Sequence, residues 1–498
     1  LTDPYQDKFF IDSAIKIISK YYNREAARAG QGIDPDLQLS PRIGFTYKIP
    51  RENIIIRGGG GIFTGQILNI WSSLLHRNNG VSIGSININP QQYGLKFNPD
   101  PYNQPTPREL GINLANAKGE LNLISKNFKY PAVFRTSFSV AKNLKSNWTI
   151  SVEGILTKNI NETRYTNINI LPPTKTSSLP DARNVYSLNS SPDKISSPYT
   201  QIFLLSNNHE QKGSSYSLSV VIDKQISSNF SFNAGYTFGK SKVFFETSGG
   251  NSAYSTQWMQ TETVNGKNFA TLSASNLNPG HRVFAGAVKK FSYTKNKLAT
   301  TVSIFYNGQS GSPYSYVNIG SIVNDNGNNE NYDLIYIPTV AELNEMIFIP
   351  NTVGAMTYSA QQQKDRFNDF IEHDKYLQKH RGEFAERNGA GLPFTNIIDL
   401  RIQQDFKIKI KKKETGFSII YDVFNFTNML NKNWGRIYFM NDDKFPLIQF
   451  AGYANTTTLT PQYRFTPLKG TPYSIQSSTL PGNSARWISQ LGFRINFG

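Results

Sequence analysis

Apolar and polar side chains alternate with a period of two along much of this chain. In "NFSFNAGYTFG" (229–239), Phe230, Phe232, Ala234, Tyr236 and Phe238 alternate with Ser231, Asn233, Gly235, Thr237 and Gly239. Successive side chains of a strand point to opposite faces, so this stretch predicts a strand with one greasy face and one small, polar face. The pattern recurs at 41–49, 53–63, 133–141, 148–156, 216–223, 283–291, 298–308, 397–410, 417–426 and 487–497, which makes eleven predicted strands. The cleanest is 397–410: Ile398, Leu400, Ile402, Phe406 and Ile408 oppose Asp399, Arg401, Gln403, Asp405, Lys407 and Lys409. Several alternate over about ten residues, the length of a tilted membrane-spanning strand. Strands of soluble proteins are mostly nearer five or six residues.

The connections alternate as well. Tight polar turns are predicted at Pro50–Asn53, Lys145–Asn147, Ser227–Asn229, Lys295–Lys297 and Lys411–Glu414. Between them lie long, irregular, Asn/Ser/Pro-rich segments at 65–129, 160–200, 243–280, 310–393 and 430–483. A soluble sandwich has no reason to collect every long connection on one edge, whereas a transmembrane β-barrel has short periplasmic turns and long extracellular loops. The predicted fold class is therefore all-β: an antiparallel transmembrane β-barrel whose greasy face looks at lipid and whose polar face looks at the lumen. Closure of such a sheet pairs every backbone group, which the membrane interior demands. Tyr47, Trp148, Phe230, Phe291, Phe406 and Phe497, near strand ends, fit an interfacial aromatic girdle. Arg57, Arg135, Glu153, Asp223, Asp399, Arg401, Asp405, Lys407 and Arg494 all fall in the polar register. They are the candidate lumen-facing residues, expected to pair with one another and with a plug, or to line the route of a solute.

Composition sharpens this picture. Aromatic residues make up 13 % and charged residues 17 %, against about 25 % charged in an ordinary soluble domain. The net charge of +17 is spread along the chain, and its one dense run, "KIKIKKKE" (407–414), straddles a predicted turn. That argues against a nucleic-acid partner. There is no cysteine and no apolar run long enough for a transmembrane helix. The five histidines fall in no metal-ligand or triad motif, and no nucleophile–base constellation is visible, so neither an enzyme nor a cofactor is expected. "GGGG" (58–61) lacks the Lys-Ser/Thr of a phosphate loop and predicts curvature or close backbone approach on the wall. The oxygen-rich "NDNGNNENYD" (324–333) does not match the EF-hand spacing and reads as a solvated loop. The charged, Pro-free stretch 365–389 predicts a helix within a long connection, either capping the mouth or contacting a substrate or a surface lipoprotein.

Eleven strands is an odd number, and a single-chain bacterial barrel normally has an even one. If the last strand ends in the periplasm, strand 41–49 also runs inward and residues 1–40 lie outside. The division expected is an extracellular segment, 1–40, with a loop helix over 9–18, and the C-terminal half of a barrel, 41–498. The first residues carry neither the basic nor the apolar region of a signal peptide.

Seven stretches, taken in order, resemble the C-terminal part of TonB-dependent outer-membrane transporters, in particular the Oar-like group of Bacteroidota-type bacteria. They are "LSPRIGFTYKI" (39–49), "IIRGGGGIFTG" (55–65), "YPAVFRTSFSVAKNL" (130–144), "NYDLIYIP" (331–338), "KHRGEFAERNGAGLPFTNIIDLRIQQDF" (379–406), "DVFNFTNMLNKNWG" (422–435) and "RWISQLGFRINFG" (486–498). The resemblance implies a 22-stranded barrel around a plug, of which eleven strands are the second half. It implies transport of a large solute such as a peptide, protein or glycan, driven through the plug by TonB–ExbB–ExbD, in the outer membrane of a Gram-negative bacterium. Members of that group also carry a carboxypeptidase-regulatory-like domain and a TonB box. The competing expectation is a structural barrel in an outer-membrane complex, with its loops holding partners and no transport of its own.

Overall fold

The computed structural model describes residues 16–80, 88–112, 119–189, 192–196, 198–246, 253–294, 297–325, 333–410, 413–467, 472–475 and 485–497. All eleven predicted strands form, as one continuous wall: β1 (Arg42–Ile49), β2 (Ile54–Thr64), β3 (Ala132–Leu144), β4 (Trp148–Asn167), β5 (Ser214–Ser227), β6 (Phe230–Val243), β7 (Gly280–Tyr293), β8 (Leu298–Gln309), β9 (Thr395–Ile410), β10 (Lys413–Phe424) and β11 (Ile488–Phe497). Each pairs antiparallel with the next in chain order. Among the described residues no strand pairs with the outer edge of β1 or of β11.

The register carries the alternation from strand to strand. Ile56 lies opposite Val140, Val140 opposite Val152, Val152 opposite Val220, Val220 opposite Tyr236, and Tyr236 opposite Val283. One residue away, Arg57, Ser139, Glu153, Ser219, Thr237 and Arg282 make the matching polar row. A slip of one residue in any pair would put the two faces out of step. The glycine run fits the expected close approach: the Phe45 ring lies over Gly58, where a Cβ would come within 2.6 Å of it.

The connections Pro50–Glu52 and Lys145–Asn147 are single 3-10 turns, and Ser228–Asn229 is a two-residue turn. The other two predicted tight turns lie partly outside the described residues (295–296 and 411–412). All are at one end of the wall. The six girdle aromatics gather at that same end: Tyr47 and Phe291 stand near the ends of their strands, Phe406 lies opposite Leu298 at the start of β8, Trp148 and Phe230 open theirs, and Phe497 stands opposite Thr415.

The long connections differ from the irregular loops expected. They fold into a cap with its own cores. Strand β4 runs 20 residues, past the wall, and there pairs with Gln201–Asn208, which pairs in parallel with Glu120–Ile124. Helix Ala360–His373, matching the helix expected in this connection, starts in a capping box made by Ser359 and Gln362. Three apolar clusters fill the cap. One is built around Tyr316, Ile335, Phe367, Ile371 and Phe465, another around Trp71, Tyr165, Phe203 and Trp258, and the third around Leu121, Leu123, Ile202 and Leu204. Among the described residues of the wall proper, only Ala132, Ala299, Ile420 and Val423 are buried apolar residues. The predicted helix over 9–18 falls mostly outside the described residues; 16–18 are helical, and Ile18 is buried in the third cluster.

Candidate functional site: the polar face of the wall

The polar register puts the nine predicted residues on one face, because each side chain alternates with apolar neighbours and the pairing preserves phase from β2 to β11. On β9 and β10 they join a network. Arg401 donates from Nε and Nη2 to both carboxylate oxygens of Asp422, at 2.5 and 2.9 Å. Asp405 accepts from Gln403 at 2.7 Å and from Ser418 at 2.7 Å. Asp399 accepts the Asn425 backbone N–H at 2.8 Å, which ties the top of β9 to the end of β10. On β3, Arg135 donates to Thr157 at 3.0 Å.

The expected pairing of the nine with one another does not occur among the described residues. Arg57, Glu153, Asp223, Lys407 and Arg494 have no side-chain hydrogen bond or ion pair there. The reason is spacing. Arg57 and Glu153 are separated by Ser139, two inter-strand steps of about 5 Å each. The one carboxylate that completes an ion pair, Asp422, was missed in the sequence because Ile420 interrupts the polar register of β10. Its spacing from Ser418 by two twos was the available signal.

Hollows open on this face. One of about 490 Å³ is lined by Lys290, Lys297, Asp405, Lys407 and Arg494, so cations outnumber carboxylates around it. Another of about 770 Å³, also towards the turn end, is lined by Thr149, Asp223, Asn233 and Phe305. A third, about 370 Å³, lies where wall meets cap, between Arg135, Phe63, Trp71 and Glu162. Lys290 lies on the polar side of β7, and Lys297 belongs to the turn that precedes β8, so neither is among the nine predicted residues.

The cap contains a second set of charges, and these are buried. Arg183 donates to Asp181 from Nε at 2.7 Å and to the Leu334 carbonyl at 3.0 Å, with its guanidinium 4.9 Å from the Phe384 ring. Asp181 also accepts from Tyr463 at 2.6 Å. Asp333 accepts from the Ile322 and Val323 amides at 2.8 and 3.2 Å. Burial pushes its carboxyl up to about 6, against the opposing pull of Arg183. Arg387, donating to the Val243 and Phe244 carbonyls at 2.8 and 3.0 Å, is held below the usual guanidinium range by burial. The middle of the 324–333 stretch lies outside the described residues. Among the described residues no group of three His, Asp or Glu is placed to hold a metal ion. His281 bonds the Tyr236 hydroxyl at 2.7 Å and His380 bonds Glu383 at 2.9 Å, both local contacts. The arrangement places charged groups and hollows on one face of the wall and a separately packed cap beyond it.

One family model fits this geometry. The family model described as "Outer membrane beta barrel domain" matches residues 19–436. No curated protein matches. Among solved structures, the outer membrane transporter YddB from Escherichia coli is similar over 76 % of this chain and 35 % of its own, at 8 % identity and a TM-score of 0.33. The ferric enterobactin receptor PfeA from Pseudomonas aeruginosa is similar over 78 % of this chain and 34 % of its own, at 8 % identity and a TM-score of 0.32. The chain thus spans about a third of the length of the solved structures it matches.

Proposed function

Because this chain belongs to the outer membrane beta barrel domain family and is an outer-membrane protein, we propose that it forms the C-terminal half of a 22-stranded, TonB-dependent transporter for a large solute. The observation that carries the reading is the wall itself: eleven antiparallel strands, apolar on one face and charged on the other, with neither outer edge paired among the described residues. With an odd number of strands, β1 and β11 run in the same direction. Antiparallel closure therefore needs an odd number of further strands, and eleven more satisfy it. In this reading the polar face lines the lumen. The hollows beside Asp405, Lys407 and Arg494 and beside Asp223 receive a plug, and the cap stands outside the cell over the mouth. TonB–ExbB–ExbD acts through the plug. The solute is a peptide, protein or glycan, consistent with a lumen wide enough to need plugging.

Dense packing in the cap favours a second reading, a barrel fixed in an outer-membrane complex whose cap holds partners. Deleting the parent gene and deleting tonB in separate strains distinguishes the two. Transport predicts the same change in cell-surface and culture-fluid composition from both deletions. If tonB loss leaves that composition unaltered while loss of the parent gene changes it, the transport reading fails and the assembly reading stands. Topology is tested separately. Cysteine at Lys364 is expected to label in intact cells with an impermeant maleimide, and cysteine at Ser146 only once the outer membrane is opened. Equal labelling of both sites would overturn the orientation.

A further inference from the structure

The apolar face of the wall carries six described lysines outside its greasy band and, among the described residues, no carboxylate. They divide by end. At the turn end, Lys142 stands 3.6 Å from Glu52. There too Lys224 lies 4.8 Å from the Trp148 ring centre, and Lys289 lies 5.3 and 5.8 Å from those of Phe230 and Phe291. These three have partners within the protein. At the cap end, Lys158, Lys240 and Lys242 have none among the described residues: all are exposed, and none takes part there in an ion pair, hydrogen bond or ring contact.

The three free cations are brought together by register. Lys158 of β4 lies opposite Ser214 of β5, and Ser214 lies opposite Lys242 of β6. Lys240 is two residues below, opposite Tyr216. The small Ser214 thus sits between two lysines about 10 Å apart, two inter-strand steps, with a third lysine completing a triangle. The nearby carboxylate, Glu162, is buried and committed to the amides of Gly213 and Phe244, at 2.6 and 2.8 Å. Directly below the triangle the face turns apolar and aromatic, with Phe134, Leu156, Leu218 and the contacting Tyr216–Phe238 pair.

Height places the triangle at a membrane surface. From Trp148 to Lys158 is ten residues, about 33 Å along the strand, or roughly 25 Å of height at a tilt near 40°. That is the height of an outer-membrane apolar band. Three unpaired cations at the upper rim of such a band face headgroups, not hydrocarbon.

We infer that Lys158, Lys240 and Lys242 form a binding site on the lipid-facing surface for the phosphate of an anionic lipid in the cap-side leaflet. The acyl chains lie along Leu156, Leu218 and Phe238, which commits the site to a lipid rather than to soluble phosphate. The inference rests on the membrane-facing assignment of this surface and not on what the lumen carries, so it survives failure of the transport reading.

The test uses the full-length protein, extracted in non-ionic detergent and titrated by native mass spectrometry with phosphatidylglycerol, phosphatidylcholine or glycerol 3-phosphate. The wild type is expected to retain phosphatidylglycerol in preference to the other two. Each lysine near a charged surface contributes about a fivefold factor, so K158Q/K240Q/K242Q should lose on the order of a hundredfold in phosphatidylglycerol affinity. Replacement of all three by arginine should keep it, which separates charge from folding. Should the triple glutamine variant fail to insert, K242Q alone, with its fivefold loss, decides. Unchanged binding by the glutamine variants would overturn the site. Glycerol 3-phosphate binding as tightly as the lipid would overturn its assignment to a lipid.

Discussion

The wall and the cap treat apolar side chains in opposite ways. Phe45, Leu491 and Phe493 on the wall are 55, 59 and 65 % exposed, while Phe203, Trp258 and Phe367 in the cap are wholly buried. In water the wall would be an unacceptable apolar surface, far beyond the patch a soluble protein tolerates. In lipid the same surface costs nothing, and the demand shifts to the backbone, whose every N–H and C=O must pair. The cap lives in water and obeys the ordinary rule: apolar residues converge, and buried charges such as Arg183 and Asp333 find partners. One chain thus answers to two solvents, and the boundary falls within β4, whose apolar residues are exposed at Val152 and Leu156 but buried at Tyr165.

This contrast can be broken most sharply by truncating aromatics. Trp258→Ala in the cap is expected to cost about 3–5 kcal/mol, measured as loss of cap protection from proteolysis. Phe493→Ala on the wall leaves no cavity, since lipid fills the space, and should cost under roughly a third of that. Equal costs would mean that the exposed face is covered by protein. Next in size, Leu400→Arg at mid-strand should cost about 2–4 kcal/mol in refolding into bilayers, while Gln403→Arg on the opposite face should be nearly neutral. Similar damage from both would show the faces exchanged.

A smaller effect belongs to the cap. Burial pushes the folded-state carboxyl of Asp333 up to about 6, from an ordinary aspartate value of 3.8. Its pKa is raised, so the folded cap binds the proton more tightly than the unfolded chain does. Its stabilisation is complete below about pH 4 and is lost as pH rises through 6. Hydrogen exchange of the Ile322 and Val323 amides should therefore show easier opening at pH 7 than at pH 4.5, after correction for intrinsic rates. Asp333→Asn should flatten that dependence. A steeper slope in the variant would reject the assignment. Smallest is the Arg401–Asp422 pair on the polar face. It is bidentate, but the arginine side chain is 50 % exposed, so a double-mutant cycle should give only about 1 kcal/mol of coupling. A value of several kcal/mol would mean that the face is drier than a lumen.

By itself the sequence determined the wall. The strand predicted at 298–308 forms as Leu298–Gln309 and the one at 397–410 as Thr395–Ile410, while the helix expected within 365–389 starts earlier, as Ala360–His373, and covers only the first part of that stretch. The opposition of Leu400 to Arg401 was legible because a period of two is local: neighbours along the chain report the two environments directly. Only the tertiary structure decided which of the polar-face charges meet, since Arg401 and Asp422 come together through the register of β9 and β10. The same holds for the cap. Arg183 reaches Leu334 across 151 residues, and Tyr463 reaches Asp181 across 282. Glu120–Ile124 joins Gln201–Asn208 in a parallel pair that no local pattern announces. In the wall the membrane imposes one simple rule on every strand, and a rule that repeats can be read from the chain. In the cap the cores are assembled from side chains far apart in sequence, and their complementarity exists only after the chain has closed those distances.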